Sequence, residues 1–228
     1  MKLSRRLQAT ADLIPSDVSV ADVGSDRGEL SYYLLEQEKI PRAILSDLSK
    51  HSLQRAKDLF RGTRYESRTE FRVGPGLEVY APGEMKYAVM AGMGGKTIVK
   101  ILEDTPAVLQ SLEGIVLQAM GNSENVRRCL ERQRFTIDEE ILLWEDGHFY
   151  TMIRALPGKA EPLTEEEIFA GPCLLRRKDP ILKDYLSKEQ RDRKAIYDDL
   201  TRRNQGQKRR EQLCRELELL AEIEKKLR

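Results

Sequence analysis

Short apolar runs alternate with amphipathic segments along the first 157 residues, and this rhythm predicts strands alternating with helices. The apolar runs predict strands at 18–23, 43–47, 71–73, 87–91 and 114–118. The helical spacing of apolar positions predicts helices at 2–13, 29–39, 50–60, 96–102 and 123–133. Strands joined by helices in this way form a parallel sheet with crossover helices.

Two further strands are predicted at 135–143 and 149–155, with no helix between them. Strands connected so closely pair antiparallel, so they would form one edge of an otherwise parallel sheet. Such an edge is typical of Rossmann-like class I methyltransferases and not of dinucleotide dehydrogenases. The predicted fold class is therefore α/β, with a class I methyltransferase sheet over residues 1–157.

The composition changes after Gly158, and residues 158–228 form a predicted second domain. This segment is highly charged, and two antiparallel helices, 180–203 and 207–227, are expected to turn at Gly206. A coiled-coil-like apolar seam along the second helix consists of Leu213, Leu217, Leu220 and Leu227. Such a seam packs either within one chain or between two, so a monomer or a weak dimer is expected.

The overall charge is balanced, with 39 Lys and Arg against 38 Asp and Glu, and it says nothing about partners. A basic excess is local, because residues 176–210 contain 13 Lys and Arg against six Asp and Glu. That stretch is either a solvated helical face or a surface that contacts RNA, and both interpretations stay open.

Several classes of protein are disfavoured. No apolar run has the length of a membrane-spanning helix, and the first residues lack the apolar core of a signal peptide, so a cytoplasmic protein without a membrane partner is expected. Three widely spaced cysteines and two histidines predict neither a disulfide framework nor a metal site.

The segment Asp22-Val-Gly-Ser-Asp-Arg-Gly28 stands where a predicted strand meets a predicted helix. Glycines there allow a tight turn and a close approach of the backbone to a ligand. Free N–H groups at a helix start suit an anion, such as the methionine carboxylate of S-adenosylmethionine (SAM). Asp47 ends the second strand, and a carboxylate at that position binds the ribose hydroxyls of an adenosine cofactor.

Two other nucleotide-binding patterns fit less well. A nicotinamide fingerprint requires a second glycine where this chain has Asp26. Gly94-Gly-Lys-Thr97 has the form of the end of a phosphate-binding loop, but Met90 replaces the first glycine of that motif. The segment 91–95 is better interpreted as the lip of a pocket, since its small residues leave room for a flat base beside a methyl donor.

Ordered motifs run along almost the whole chain. The first are Leu3-Ser4-x-Arg6-Leu7, Ala21-Asp22-Val23-Gly24-Ser25-Asp26, Gly76-Leu77-Glu78-Val79 and Ala91-Gly92-Met93-Gly94-Gly95. They continue with Glu124-Asn125-Val126-Arg127-Arg128, Asp138-Glu139-Glu140-Ile141-Leu142, Glu145-Asp146-Gly147, and Gly171-Pro172 before the helical hairpin. Together these motifs resemble those of the bacterial tRNA (adenine-22, N1)-methyltransferases.

The resemblance implies a SAM-dependent enzyme that methylates N1 of adenine 22 in tRNA. With the loop pattern, it implies cofactor contacts from Asp22, Gly24, Ser25, Asp26, Gly28, Asp47, Leu48, Gly74, Pro75, Gly76, Leu77, Ala91, Gly92 and Met93. The candidate RNA contacts are Arg5, Arg6, Arg27, Arg127, Arg128, Arg202 and Arg203.

The candidate catalytic residues are Asp26 and Met93. Asp26 matches the aspartate of the family and would stabilise the positive charge of the methylated product. The alternative interpretation is that Asp26 caps the helix that follows it.

The chain departs from the family pattern at three places. The turn continues as Arg27-Gly-Glu-Leu-Ser31, where the family has histidine, a small residue, tyrosine, leucine and proline. Pro75 stands where the family has Asp or Asn, and Ala119-Met120 stands where it has Pro-Asn. Two alternatives therefore stay open, namely a weakly active or inactive relative that binds RNA and a class I methyltransferase with another substrate.

Overall fold

The chain forms two compact units, Met1–Pro162 and Leu163–Arg228. The computed structural model describes residues 1–159 and 161–227. Ala160 and Arg228, which belong to the predicted second domain, lie outside the described residues.

Strands and helices alternate along the first unit. Its strands are β1 (Val20–Val23), β2 (Ala43–Asp47), β3 (Thr69–Val73), β4 (Tyr87–Met93), β5 (Gly114–Ala119), β6 (Phe135–Glu145) and β7 (His148–Pro157). Its helices are α1 (Arg5–Leu13), α2 (Glu29–Glu36), α3 (Lys50–Phe60), α4 (Gly95–Asp104), α5 (Pro106–Leu109) and α6 (Ser123–Arg132), with a 3₁₀ turn at Glu66–Arg68.

The seven strands form one sheet in the order β3-β2-β1-β4-β5-β7-β6. Strands β1 to β5 pair in parallel, and β7 runs antiparallel to both of its neighbours. Every residue of β1 and β5 is buried, which explains their continuous apolar runs. The predicted class I methyltransferase sheet, including its antiparallel edge, is confirmed.

This order places a topological switch point between β1 and β4. The chain moves outward from β1 through β2 to β3 and then returns to the other side of β1 as β4. Ligands of open α/β sheets bind in the crevice that opens beyond the carboxyl ends of the strands at such a point.

The second unit is helical. Its helices are α7 (Glu165–Ala170), α8 (Pro172–Arg176), α9 (Leu182–Arg202) and α10 (Gln207–Lys226). Gly206 lies between α9 and α10 in the left-handed conformation, with φ of +64°, so the predicted helical hairpin and its turn are confirmed.

The buried face of α10 contains the predicted apolar seam and one further residue, Ile223. Leu213, Leu220 and Ile223 are fully buried, whereas Leu217 and Leu227 are only partly buried. Ile223 follows Leu220 by three residues and therefore continues the same helical face. Among the described helices, none combines the length and apolarity needed to cross a membrane.

Candidate active site

The loop that follows β1 is held against the end of β2. The backbone N–H groups of Gly24 and Ser25 both donate to the carbonyl oxygen of Ser46, at 2.8 and 3.0 Å. Gly24 has a φ of +70°, and a Cβ atom there would lie 2.1 Å from the terminal methyl of Met93. The left-handed backbone conformation therefore favours glycine at this position, and a Cβ atom would in addition displace the end of the Met93 side chain.

Ser25 leaves a polar atom without a partner in this loop. Its Oγ is buried and has no hydrogen bond within the described part of the chain. A buried hydroxyl without a partner costs about 1–3 kcal/mol, so its presence here indicates a ligand with a polar group to accept or donate that bond.

A cavity of about 320 Å³ opens at the switch point. Its walls come from α1, from the loop after β1, from the start of α2 and from the end of β4. The lining residues are Arg6, Leu7, Asp22, Gly24, Ser25, Asp26, Arg27, Glu29, Leu30, Ala91 and Gly92. Its volume lies within the range of small-molecule pockets.

Asp22 places a buried carboxylate in the wall of this cavity. It is 4% exposed and accepts a hydrogen bond of 2.6 Å from the hydroxyl of Ser31. Burial raises the pKa of Asp22 to about 6, and the bond from Ser31 opposes that rise. The family has proline where this chain has Ser31. The substitution therefore supplies the hydroxyl that donates to the carboxylate of Asp22.

Asp47 joins three loops at the carboxyl ends of β1, β2 and β3. Its side chain accepts from the N–H groups of Asp26 at 3.2 Å and Ser49 at 2.8 Å. Its own carbonyl accepts from the N–H of Gly74 at 3.1 Å. Leu48, directly after it, is 72% exposed, so a carboxylate and an apolar side chain lie next to each other at this edge of the sheet.

Gln118 organises the opposite lip, and the sequence analysis missed it. Its Oε1 accepts from the N–H of Gly92 at 2.9 Å and from Nη1 of Arg6 at 2.5 Å. Gly92 has a φ of +79° and forms a bulge between Ala91 and Met93, where β4 pairs with β5. A fully buried polar residue inside the apolar run of β5 was the available signal.

Comparison with known proteins identifies the family. A family model described as a methyltransferase domain matches residues 3–153, which is more than half of the chain. The chain belongs to this methyltransferase family.

One curated sequence and one solved structure match the chain over nearly its whole length. A tRNA (adenine(22)-N(1))-methyltransferase of Bacillus subtilis (strain 168) is 29% identical over 231 residues, covering 98% of this chain and 97% of that protein. The crystal structure of a B. subtilis M1A22 tRNA methyltransferase has a TM-score of 0.90 at 28% identity, covering 98% of this chain and 99% of that one.

Another solved structure shares the fold. It comes from Streptococcus pneumoniae and was solved in complex with S-adenosyl-L-methionine. Its TM-score is 0.87 at 24% identity, and the match covers 98% of this chain and all of that one.

Asp26 does not cap a helix in this methyltransferase. The N-cap of α2 is Gly28, and within the described residues this helix start has no side-chain cap hydrogen bond, so the capping interpretation is wrong. Oδ1 of Asp26 lies 2.5 Å from Nη2 of Arg55, and Arg27 lies 3.7 Å from Oδ2. Two guanidinium groups therefore already compensate the carboxylate that was expected to stabilise the product.

Other predicted cofactor residues lie beside the cavity without lining it. Gly28 packs tightly, because a Cβ atom there would lie 2.8 Å from Leu45. The side chain of Leu77 is fully buried, so only its backbone is available to a ligand. Pro75 is exposed between Gly74 and Gly76, in the loop that Asp47 holds.

The predicted RNA contacts have different environments. Arg127 is 2% exposed, and its Nε donates to the equally buried Glu140 at 2.8 Å. A buried side chain cannot contact RNA, so that prediction is corrected and Arg127 joins α6 to β6. Arg5 and Arg27 are exposed, and Arg6 and Arg128 are half-buried.

Arg202 and Arg203 lie at the end of α9. Their side chains are 77% and 64% exposed, and both pair with Asp199, at 3.4 and 3.0 Å. Exposed ion pairs of this kind are weak, so both arginines stay available to an anionic partner.

Proposed function

We propose that this methyltransferase uses SAM to methylate N1 of adenine 22 in tRNA. The B. subtilis relative with that activity matches over nearly the full length of both chains. The observation that carries the proposal is the cavity at the switch point, whose wall contains a hydroxyl without a partner and a buried carboxylate.

The residues that line the site fit SAM. The N–H-rich turn at Gly24 and the free hydroxyl of Ser25 would hold the methionine carboxylate. Asp22 would face the cationic part of the cofactor, since no Lys or Arg within the described residues pairs with it. Asp47 would bind the ribose, and the exposed Leu48 would cover one face of the adenine ring.

The chemistry requires alignment more than proton transfer. When bound, SAM supplies an electrophilic methyl group on a sulfonium. Adenine N1 is largely neutral at physiological pH, so its lone pair needs no strong base to become available. The protein therefore has to fix the acceptor in line with the donor, and the bonds from Arg6 and Gly92 to Gln118 keep the lip of the cavity in one conformation.

The two candidate catalytic residues shape the site in this proposal. Asp26 bonds to Asp47 through its N–H and to Arg55 through its carboxylate, so it holds the loop. Met93 lies between the loop and the lip, where its methyl group abuts Gly24. The carboxylate of Asp22, which is bonded to Ser31 and is not paired with a described Lys or Arg, is the negative charge that faces the cofactor.

The target base has to leave the folded RNA before N1 can reach the cavity. Enzymes that modify a base extrude it into a pocket, and the rest of a tRNA is held through shape and phosphates. A tRNA substrate also places the enzyme in the cytoplasm.

The first experiment is calorimetric titration of the purified protein with S-adenosylhomocysteine. We expect binding that Asp47→Ala abolishes, because it removes the ribose contact and releases the loops at Ser49 and Asp26. Asp58→Ala is the matched control, since Asp58 is an exposed carboxylate of α3 that pairs with Arg61. Absence of heat in the wild type would contradict the proposed cofactor and favour the inactive, RNA-binding relative.

The second experiment tests the substrate. Unmodified tRNA is incubated with the protein and SAM, and its nucleosides are analysed by mass spectrometry. We expect 1-methyladenosine, which a transcript carrying guanine at position 22 does not yield. Methylation of a different nucleoside would instead establish a class I methyltransferase with another substrate.

A further inference from the structure

Large exposed apolar side chains concentrate at the carboxyl edge of the sheet. Apart from Met1, the large exposed apolar side chains in the described part of the first unit are Leu48, Val73, Met120 and Trp144, which are 72%, 48%, 48% and 43% exposed. They stand at the ends of β2, β3, β5 and β6. All four strands end at one edge, because β6 and β5 both pair antiparallel with β7 and therefore run in the same direction.

The switch point divides these side chains into two pairs. Leu48 follows β2 and Val73 ends β3, both on the β1 side and next to the proposed ribose contact Asp47. Met120 follows β5 and Trp144 lies near the end of β6, both on the β4 side, and the site described above gives them no function. A substrate that enters beside the cofactor would meet this second pair.

Trp144 is held in a defined position at the tip of the β6–β7 hairpin. Its ring packs on Phe149 with a centroid distance of 4.6 Å and an angle of 58° between the planes. The two residues pair across the strands, and Asp146 and Gly147 close the turn with φ values of +50° and +81°. The tryptophan is thus supported on one side and accessible on the other.

The start of α1 lies against one side of this tip and brings Arg5 to the backbone of Trp144. Nη1 of Arg5 donates to the carbonyl oxygen of Trp144 at 3.4 Å, and the guanidinium of Arg6 lies 5.5 Å from the ring centre of Tyr150. The carboxylate of Glu145 is occupied by the N–H groups of Arg5 and Arg6. Tyr150 pairs with Leu143, so Tyr150 and Arg6 lie on the face of the hairpin opposite to Trp144. The exposed Asp146 disfavours a phosphate at the tip itself, so the charge of Arg5 favours a base on Trp144 with its backbone toward the start of α1.

We propose that Trp144, supported by Phe149, is a stacking platform for an unpaired nucleobase of the RNA substrate. The proposal rests on the proposed function, since it assumes an RNA that enters at the carboxyl edge. Aromatic side chains bind unstacked bases of RNA through their faces, without strong sequence preference. The platform would hold a nucleotide next to the target while the target base occupies the cavity.

Trp144 reports on its own contacts, because it is the single tryptophan of the chain. We titrate the protein, saturated with S-adenosylhomocysteine, with unmodified tRNA and follow tryptophan fluorescence. Stacking of a base is expected to quench the emission in a saturable manner. Unchanged emission at RNA concentrations that saturate a filter-binding assay would overturn the proposal.

Substitution gives a second readout. Trp144→Ala is expected to weaken RNA binding roughly tenfold, the loss of one stacked base, whereas Trp144→Phe keeps a ring and stays within roughly threefold of wild type. Glu113→Ala, which removes an exposed side chain directly before β5 and so at the opposite edge of the sheet, is the control and leaves RNA affinity unchanged. Unaltered binding of S-adenosylhomocysteine shows that each variant is folded at the cofactor site.

The same data separate this proposal from the proposed function. If the wild type methylates tRNA and Trp144→Ala has an unchanged KM for tRNA, the platform is refuted and the enzymatic activity stands. If Trp144→Ala weakens RNA binding but the wild type methylates no tRNA, the platform stands and the proposed activity is refuted.

Discussion

At the scale of single residues, the site depends on a carboxylate that the fold destabilises. Asp22 is buried at the end of β1, and its main compensation is the hydroxyl of Ser31. Burial raises its pKa from 3.8 to about 6, so folding favours the protonated form. The loss of folding stability caused by burying the ionised carboxylate is absent below pH 3.8. It grows as the pH rises to about 6 and is constant above that.

Asp22→Asn tests this cost. We expect the variant to gain up to about 3 kcal/mol in the free energy of unfolding at pH 7.5, the value of two pKa units, and almost nothing at pH 4. Urea denaturation at both pH values measures the difference. Ser31→Ala is the complementary variant and should lose stability at pH 7.5, because it removes the bond that supports the carboxylate. An equal gain at both pH values would contradict the electrostatic explanation.

The Asp22→Asn variant should also bind S-adenosylhomocysteine more weakly, since an amide does not attract the ammonium group of the ligand. Stability and affinity would then change in opposite directions, as is common where a functional group is held in an unfavourable environment. Calorimetry at pH 7.5 measures the affinity, and unchanged binding would place Asp22 outside the cofactor contacts.

Arg127 shows how a charged residue misleads when only the sequence is available. Its place in a polar motif suggested a contact with RNA, but it is buried against Glu140. We expect Arg127→Met to lose about 3–5 kcal/mol of stability, because it removes the guanidinium that compensates the buried carboxylate of Glu140. The double variant Arg127→Met/Glu140→Leu should recover most of the loss in urea denaturation. Equal stability of the single and double variants would contradict this explanation.

At the scale of elements, long periodic segments were predictable and short ones were not. The strands and long helices lie within a few residues of their predicted bounds, because each contains enough positions to establish a period. Helices α5, α7 and α8 have four to six residues and are too short to show one. At the site, Gly24 and Asp47 were predictable from their places at strand ends. Gln118 was not, because its partners Arg6 and Gly92 meet it only in the folded chain.

The buried face of α10 gives a prediction at this scale. Ile223 is fully buried and Leu217 is not. Ile223→Ala should therefore cost about 2–5 kcal/mol, and Leu217→Ala clearly less. Hydrogen exchange of the amides of α9 and α10 measures the loss directly on the hairpin. A larger loss of stability for Leu217→Ala than for Ile223→Ala would show that Leu217 contributes more to the packing of α10 than Ile223 does.

At the scale of the whole molecule, a net charge of +1 conceals an uneven distribution. The basic excess of residues 176–210 belongs to the helical hairpin, where several cations pair with acidic side chains one turn away. Such pairs leave the interpretation of this face open, because they stabilise an exposed helix and are also weak enough to be exchanged for phosphates.

Salt dependence distinguishes the two interpretations of the hairpin. If Arg202 and Arg203 contact phosphates, Arg202→Gln/Arg203→Gln should weaken tRNA binding and lower the slope of log affinity against log salt by up to about 2. Lys100→Gln, an exposed cation of α4 that pairs with Asp104, is the matched control and should leave the slope unchanged. If the wild type, the double variant and the control have the same slope, Arg202 and Arg203 belong to a solvated face of the hairpin and do not contact RNA phosphates. The remaining candidates for RNA contacts would then be those of the first unit, namely Arg5, Arg6, Arg27, Arg128 and Trp144.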